Sequence, residues 1–501
     1  MIDFRCVSVR QLTLLFWLLS FLLVFSERRS AAQEVSSKPA VAVLERPNVL
    51  LICVDDLRPE LKCFGASYIH SPAIDRLAEQ GVRFQQHFVQ APTCGASRYA
   101  LLTGRYGPAG NDALFRRAKQ QPSLPTLPGW FRSQGYETVS VGKVSHHPGG
   151  HGGPDWNDPD QPEMPGVWSR THLPAGLWKH PRGWMHGLAN GEIRVRADQM
   201  SVFQHAAVTD EAYPDGLTVP QAIEELNKLS RQETPFFLAV GLLRPHLPFG
   251  VPESDYNRYR DLKLPEIAAP EKPTGKTTWH RSGEFMKYDR QGKNPNQDKA
   301  YADQVRKHYA ACVTFADRQV QKLLSAVEEA GVAENTIVVL WGDHGWHLGE
   351  HAIWGKHSLF EESLWAPLIV YDPRDTETSG WRKGDIDRRV VETIDIFPTL
   401  CDLADLPKPD QLHGSSLLES SRDITERGAI SYTASARTLR TSRYRLIVHR
   451  SGEKELYDHQ QDPNETNNLA KESAELTREL SEQLEERWQK THETSAANQK
   501  Q

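Results

Sequence analysis

Three stretches of this chain are apolar almost without interruption. They lie within Arg46–Val54, Pro235–Gly241 and Asn335–Trp341. A strand with no polar side must be covered on both faces, as in a parallel sheet held between layers of helices. Two further strands fit the same sheet: Tyr136–Val141, which alternates, and Pro367–Tyr371. Helix signals fall between them. Ser71 and Gly81 bracket one helix, Thr126 and Gly135 another, and Thr218–Leu229, Asp303–Ala330 and Ile394–Leu403 give three more. The expected core is therefore α/β with a mostly parallel sheet.

The residues just past these strands carry the chemistry. Open α/β sheets bind ligands at the carboxyl ends of their strands. Here those ends supply Asp55 and Asp56, Lys143 and His146, His246, and Asp343 and His344, with Lys356 close behind. Adjacent carboxylates repel unless a cation lies between them; the plainer reading of Asp55-Asp56 is an acidic turn. A lone histidine or lysine is ordinarily structural or solvated. Taken together, the set offers oxygen donors for a hard cation and cationic donors for an anion, which is what sulfate or phosphate ester hydrolysis requires.

A further stretch, Thr93–Arg105, reads as a helix opened by Cys94 and closed by Gly104. Unpaired N–H groups at a helix start favour anions, and Arg98 falls one turn on, on the same face. Cys94 is thus a candidate nucleophile or ligand, or else a small buried cap residue.

The 501 residues carry a net charge of −6, with 39% hydrophobic and 25% charged residues. That balance supports a large core and disfavours non-specific nucleic-acid binding. Arg5 and Arg10 precede the apolar run Leu12–Phe25, and Ser30-Ala31-Ala32 comes after it as a cleavage pattern. Residues 1–32 are expected to be a signal peptide for export to the periplasm or outside the cell, and 33–45 a linker. The run is short for a membrane span, which needs about 20 residues, so no stable membrane insertion is expected after cleavage. Cys53, Cys63, Cys94, Cys312 and Cys401 remain, an odd number without CxxC spacing. Residues 149–196, rich in Gly, Pro, Trp and His, form a long insertion, either ordered beside a sugar ring or a packed surface excursion. Residues 265–298 read as a variable loop. Near the end, Thr438–Val448 alternates as one exposed strand, Leu456-Tyr457-Asp458 comes next, and Leu476, Leu480, Leu484 and Trp488 recur at helical spacing. A small antiparallel sheet under a helix is expected. The division is 46–425 for the main domain, 426–490 for a C-terminal subdomain and 491–501 for a disordered tail.

Cys94-Gly95-Ala96-Ser97-Arg98 with Leu101-Leu102-Thr103-Gly104-Arg105 resembles the signature of type I sulfatases, with Ala96 where proline is commoner. Asp55-Asp56-Leu57-Arg58-Pro59 and Asp343-His344-Gly345-Trp346 with Gly349-Glu350-His351 resemble the iduronate-2-sulfatase branch. Leu456-Tyr457-Asp458 with Asp462-Pro463 and Asn468-Leu469 resembles the family's C-terminal ending. The resemblance implies an alkaline-phosphatase-like sulfatase fold and hydrolysis of a sulfated uronic acid or related polysaccharide. It implies conversion of Cys94 to formylglycine by a formylglycine-generating or maturase enzyme. It implies one calcium ion held by Asp55, Asp56, Asp343, His344 and residue 94. By the same resemblance Arg98 steadies residue 94, Lys143 and Lys356 bind sulfate oxygens, Asp343 is the base, and His246 is the acid for the sugar oxygen. His146 bonds the second hydroxyl of the hydrated aldehyde. A basic residue near the C-terminal sheet meets the substrate carboxylate, which here suggests Arg437 or Arg440. The alternatives are a phosphate or phosphonate ester hydrolase of the same fold and a non-catalytic secreted glycan-binding relative.

Overall fold

The computed structural model describes residues 46–374, 380–419 and 427–497. The expected signal peptide, the linker and the boundary at 425/426 lie outside the described residues.

The central sheet takes eight strands: β1 Asn48–Val54, β2 Val82–Phe88, β3 Glu137–Gly142, β4 Arg170–His172, β5 Phe236–Leu242, β6 Thr336–Gly342, β7 Leu368–Tyr371 and β8 Ile386–Glu392. Their spatial order is β8-β2-β7-β6-β1-β5-β3-β4. All run parallel except β7, which is antiparallel to both β2 and β6. β1 sits between β5 and β6, with Ile52 opposite Val240 and Leu340.

Helices that flank this sheet include α1 Pro72–Gln80, α2 Cys94–Thr103, α3 Leu127–Ser133, α4 Pro214–Leu229, α5 Lys299–Glu329 and α6 Ile396–Leu403, while a last helix, α7 Ala474–Ala497, packs in the C-terminal part. Their starts reflect local chemistry. The Thr126 hydroxyl accepts from the Gly129 N–H at 3.3 Å, and the Asp298 carboxylate accepts from the Tyr301 N–H at 3.0 Å. α4 begins four residues earlier than Thr218 because Pro214 occupies its first turn, where no N–H is needed.

The uninterrupted apolar strands are explained by the layers. Leu50, Ile52 and Val54 of β1 pack with α1, α4 and α5. Val49, Leu51 and Cys53 pack on the opposite face with α2, α3 and α6. Each side-chain set of one strand thus belongs to a different core.

The C-terminal sheet has four antiparallel strands: β9 Ala429–Tyr432, β10 Ala436–Arg440, β11 Tyr444–His449 and β12 Lys454–Asp458. The single strand expected over Thr438–Val448 is therefore two strands around a turn. The Thr441 hydroxyl closes that turn by accepting from the Tyr444 N–H at 2.9 Å, as side-chain oxygens do in place of a turn glycine. α7 continues through 491–497, the start of the expected tail; residues 498–501 lie outside the described residues. Leu480 and Leu484 of α7 share one apolar cluster with Leu439, Leu446 and Leu456 of the sheet and with Ala96 and Ala100 of α2. The C-terminal part thereby braces the helix that carries Cys94. Among the described residues no helix is long and apolar enough to cross a membrane, and no disulfide joins the five cysteines.

Candidate active site

The carboxyl ends of β1, β3, β5 and β6 open beneath the start of α2, and Cys94 is its first residue. Cys94 Sγ lies 3.2 Å from Lys356 Nζ and 3.2 Å from His344 Nε2. One donor atom each from Asp55, Cys94, Asp343 and His344 falls within 4.8 Å of the others, as do atoms of Asp56, Cys94 and His246. The strand-end residues selected from the sequence thus converge on one point.

Arg98 knits the floor. It donates through Nε and Nη2 to Asp343 Oδ2 at 3.1 and 2.9 Å, and its Nη1 donates to the carbonyls of Lys143 and Val144. The Asp56 N–H donates to Asp343 Oδ1 at 2.9 Å. Lys143 pairs with Asp55, and Lys356 Nζ with Asp56 Oδ1 at 2.7 Å. All these side chains are buried. Burial alone would raise the Asp55 carboxyl; Lys143, with Arg98 and Lys356, outweighs it and holds the group well below the usual range. Burial and neighbouring Asp55 push Asp56 well above it against the pull of Lys356. Burial and Asp55 also raise Asp343. Burial, reinforced by Asp55, pushes the Cys94 thiol up to about 12.

The geometry suits a cation. His344 Nδ1 faces the Gly345 carbonyl at 3.1 Å and must donate to it, which leaves the Nε2 lone pair pointing inward. That lone pair stands 3.5 Å from Asp56 Oδ1 and 3.6 Å from Asp343 Oδ1. Asp55 Oδ1 and Asp56 Oδ2 are buried without a hydrogen bond. Buried carboxylate oxygens without hydrogen bonds are costly unless positive charge lies near them; Arg98 Nη2 stands 3.5 Å from Asp55 Oδ1, and a cation among the carboxylates would offset the remainder. Three carboxylates and one imidazole nitrogen can hold an oxygen-preferring divalent ion.

Two glycines let the backbone close in. A Cβ at Gly95 would lie 2.3 Å from the Asn111 carbonyl oxygen, and one at Gly241 2.0 Å from the carbonyl carbon of Lys143. Gly95 also donates its N–H to Asn111 Oδ1 at 3.0 Å. These contacts seat residues 94 and 143.

Above the floor opens a cavity of about 760 Å³, lined by Cys94, His146, His246 and Lys356. His147 lines it too, so both members of the His146-His147 pair reach it. Burial, then Lys143, keep His146 and His246 neutral, far below the usual histidine range. His246 Nδ1 donates to the Leu247 carbonyl at 2.6 Å, leaving Nε2 for the cavity. Sequence reasoning missed Glu284, which sits in the loop 265–298. Its carboxylate stands 3.9 Å from His246 Nε2, 3.9 Å from Lys356 Nζ and 3.8 Å from His357 Nε2. Burial would raise it, but Lys356 and the hydrogen bond from His357 hold it well below the usual range. The insertion 149–196 adds Trp156, Arg182, His186 and Arg194 to the wall; only its Trp and His richness hinted at this.

Arg437 is not brought to this cavity. It lines a separate one of about 400 Å³ in the C-terminal part, lies over the Trp488 ring at 5.1 Å and pairs with Glu485 at 3.1 Å. Arg440 pairs with Glu361 at 3.1 Å instead. A basic side chain on the antiparallel sheet is directed by its strand register, which the sequence leaves ambiguous when two strands read as one.

Comparison with known proteins agrees with this geometry. The sulfatase family model matches residues 47–406, and the model for the C-terminal part of N-sulphoglucosamine sulphohydrolase matches 349–492. Iduronate 2-sulfatase of Mus musculus is 32% identical over 411 residues, covering 76% of this chain and 71% of that protein. A sulfatase of Formosa agariphila is 30% identical over 463 residues, 85% of this chain and 83% of that one. Among solved structures, a protein in complex with its substrate D-glucosamine-2-N,6-O-disulfate superposes with a TM-score of 0.69 at 21% identity, covering 89% of this chain and 98% of that one. The phosphonate monoester hydrolase of Agrobacterium radiobacter gives 0.69 at 22%, covering 89% and 96%. These two show the shared alkaline-phosphatase-like sulfatase fold. Family match, identity and the cysteine-centred pocket lead to one conclusion: the chain belongs to the sulfatase family.

Proposed function

We propose that this protein hydrolyses the sulfate ester of a sulfated uronic acid, or of a related sulfated glycan, after export. The observation that carries this reading is the position of Cys94 Sγ, buried on the cavity floor between Lys356 Nζ and His344 Nε2. A thiol held near 12 is a poor nucleophile at neutral pH, which supports a different functional group at residue 94 in the working protein. Conversion to formylglycine by a generating or maturase enzyme supplies it, since the hydrated aldehyde offers an oxygen nucleophile. Asp55, Asp56, Asp343 and His344 would hold a calcium ion, which supplies fixed positive charge beside the reacting sulfate.

This chain's own groups do the rest. Lys143 and Lys356 bind sulfate oxygens and offset charge developing in the transition state. Asp343, oriented by Arg98, takes the proton of the attacking hydroxyl. The negative charge of a bound sulfate ester favours a proton on His246 Nε2; that proton passes to the departing sugar oxygen and leaves the neutral ring with its Nδ1 proton on the Leu247 carbonyl. His146 bonds the second hydroxyl at residue 94, whose deprotonation releases sulfate and restores the aldehyde. Arg98 keeps the floor rigid.

Mass spectrometry of exported protein made with a formylglycine-generating enzyme is expected to find residue 94 converted, with aryl sulfate cleaved faster than aryl phosphate. Cysteine alone at 94, or phosphate preference, would refute this reading. A Cys94→Ala variant that still cleaves the ester would place the chemistry elsewhere.

A further inference from the structure

The cavity wall carries an arginine that no step of the proposed reaction employs. Arg194 Nη1 donates to the Tyr288 hydroxyl at 3.0 Å, and Arg194 Nη2 meets His186 Nε2 at 2.6 Å. A guanidinium only donates, so His186 Nε2 accepts and its Nδ1 carries the proton, facing the Tyr288 hydroxyl at 3.3 Å. Tyr288 and His186 are both buried. Arg194 is therefore fixed by two neutral acceptors, with three of its five N–H groups left over. Among the described residues no carboxylate pairs with Arg194 or with Arg182, which lies over the Trp156 ring at 5.6 Å on the same wall. A half-buried cation without a counter-ion, on the wall of a ligand cavity, is arranged for a ligand's charge.

Its position says which part of the ligand. The His186 ring, which holds Arg194, lies 5.6 Å from the His246 ring. His246 serves the leaving oxygen, so Arg194 stands on the sugar side of the scissile bond.

We propose that Arg194 binds a second oxyanion on the sugar that bears the scissile sulfate, and that this group is the uronate carboxylate, whose planar pair of oxygens matches the guanidinium fork. This assigns to the insertion the role the sequence suggested for Arg437, and it rests on the sulfatase reading.

The test compares kcat/KM for a 2-O-sulfated uronate disaccharide and its carboxyl-reduced counterpart, in wild type, Arg194→Gln and Arg194→Lys, with circular dichroism to verify folding. Carboxyl reduction is expected to cost the wild type about tenfold to a hundredfold, chiefly in KM, the scale of a charged hydrogen bond. Arg194→Gln should suffer that loss on the carboxylate substrate and almost none further on the reduced one, with Arg194→Lys between. Equal losses on both substrates overturn the proposal. A disulfated glucosamine whose turnover alone depends on Arg194 overturns the carboxylate assignment in favour of a second sulfate. Should the wild type cleave neither these sugars nor an aryl sulfate, the reaction assignment has failed, and calorimetry of the uronate disaccharide with Cys94→Ala and Cys94→Ala/Arg194→Gln decides the binding claim. A loss of tenfold or more in affinity upholds it, and equal affinity overturns it.

Discussion

At the scale of single residues, the floor is built from close approaches that tolerate little change. Gly95→Ala drives a methyl group into the Asn111 backbone. It is expected to cost about 1–3 kcal/mol, read as a lower denaturant midpoint, and to reduce aryl sulfate turnover because residue 94 shifts with its neighbour. Arg98→Lys leaves Asp343 and the carbonyls of Lys143 and Val144 short of donors. Breaking such a buried pair costs about 3–5 kcal/mol, so the variant should unfold at clearly lower denaturant than wild type. Calcium should raise the melting temperature above its value in a chelator, by mass action on the native state; identical melting curves would count against a cation among Asp55, Asp56, Asp343 and His344. Most of the residues on this floor were legible in the sequence because strand ends are marked by where apolar runs stop. Glu284, Asn111 and Arg194 were not, since they lie in loops whose side-chain directions obey no period.

At the scale of elements, the strands and long helices could be found from pattern alone, but the ties between them could not. Arg318 of α5 is an example. It pairs with Asp210 at 2.7 Å and with Asp255 at 2.7 Å, while Lys322 and Gln319 reach Asp210 at 2.7 and 2.9 Å. One turn of α5 thus clamps two short segments far away in the chain. Burial would raise Asp210, but its bonds to Arg318, Lys322 and Gln319 bring it down to about 2. The folded value lies below the ordinary aspartate value, so this stabilisation is complete above about pH 4 and is lost as pH falls toward 2. Asp210→Asn should therefore destabilise the protein at pH 7 by about 2 kcal/mol and narrow the gap to wild type near pH 2, as denaturant titrations at the two pH values would show. The hairpin at Thr441 shows the opposite limit: without glycine or proline, its turn was invisible to pattern and Thr438–Val448 read as one strand.

At the scale of the whole molecule, the site belongs to both sheets. α7 and the C-terminal sheet share an apolar cluster with Ala96 and Ala100. Arg487 of α7 also reaches Glu392 at 2.9 Å and the Tyr106 hydroxyl at 3.0 Å. A chain ending at residue 473 should accordingly bind a hydrophobic dye and lose ester turnover although every floor residue remains. The apolar pattern exposed the layers to sequence reading, whereas this bracing depends on contacts between residues hundreds of positions apart. The placement of β1 carries a consequence in time. Its two partners, β5 and β6, begin at Phe236 and Thr336. At ribosomal rates of about 5–20 residues per second, the first sheet strand to emerge waits roughly ten to forty seconds for any neighbour and up to a minute for the second. Through that interval its apolar faces and bare edges are open to pairing with other chains, so the risk of aggregation is greatest before the strand destined for the middle of the sheet is enclosed.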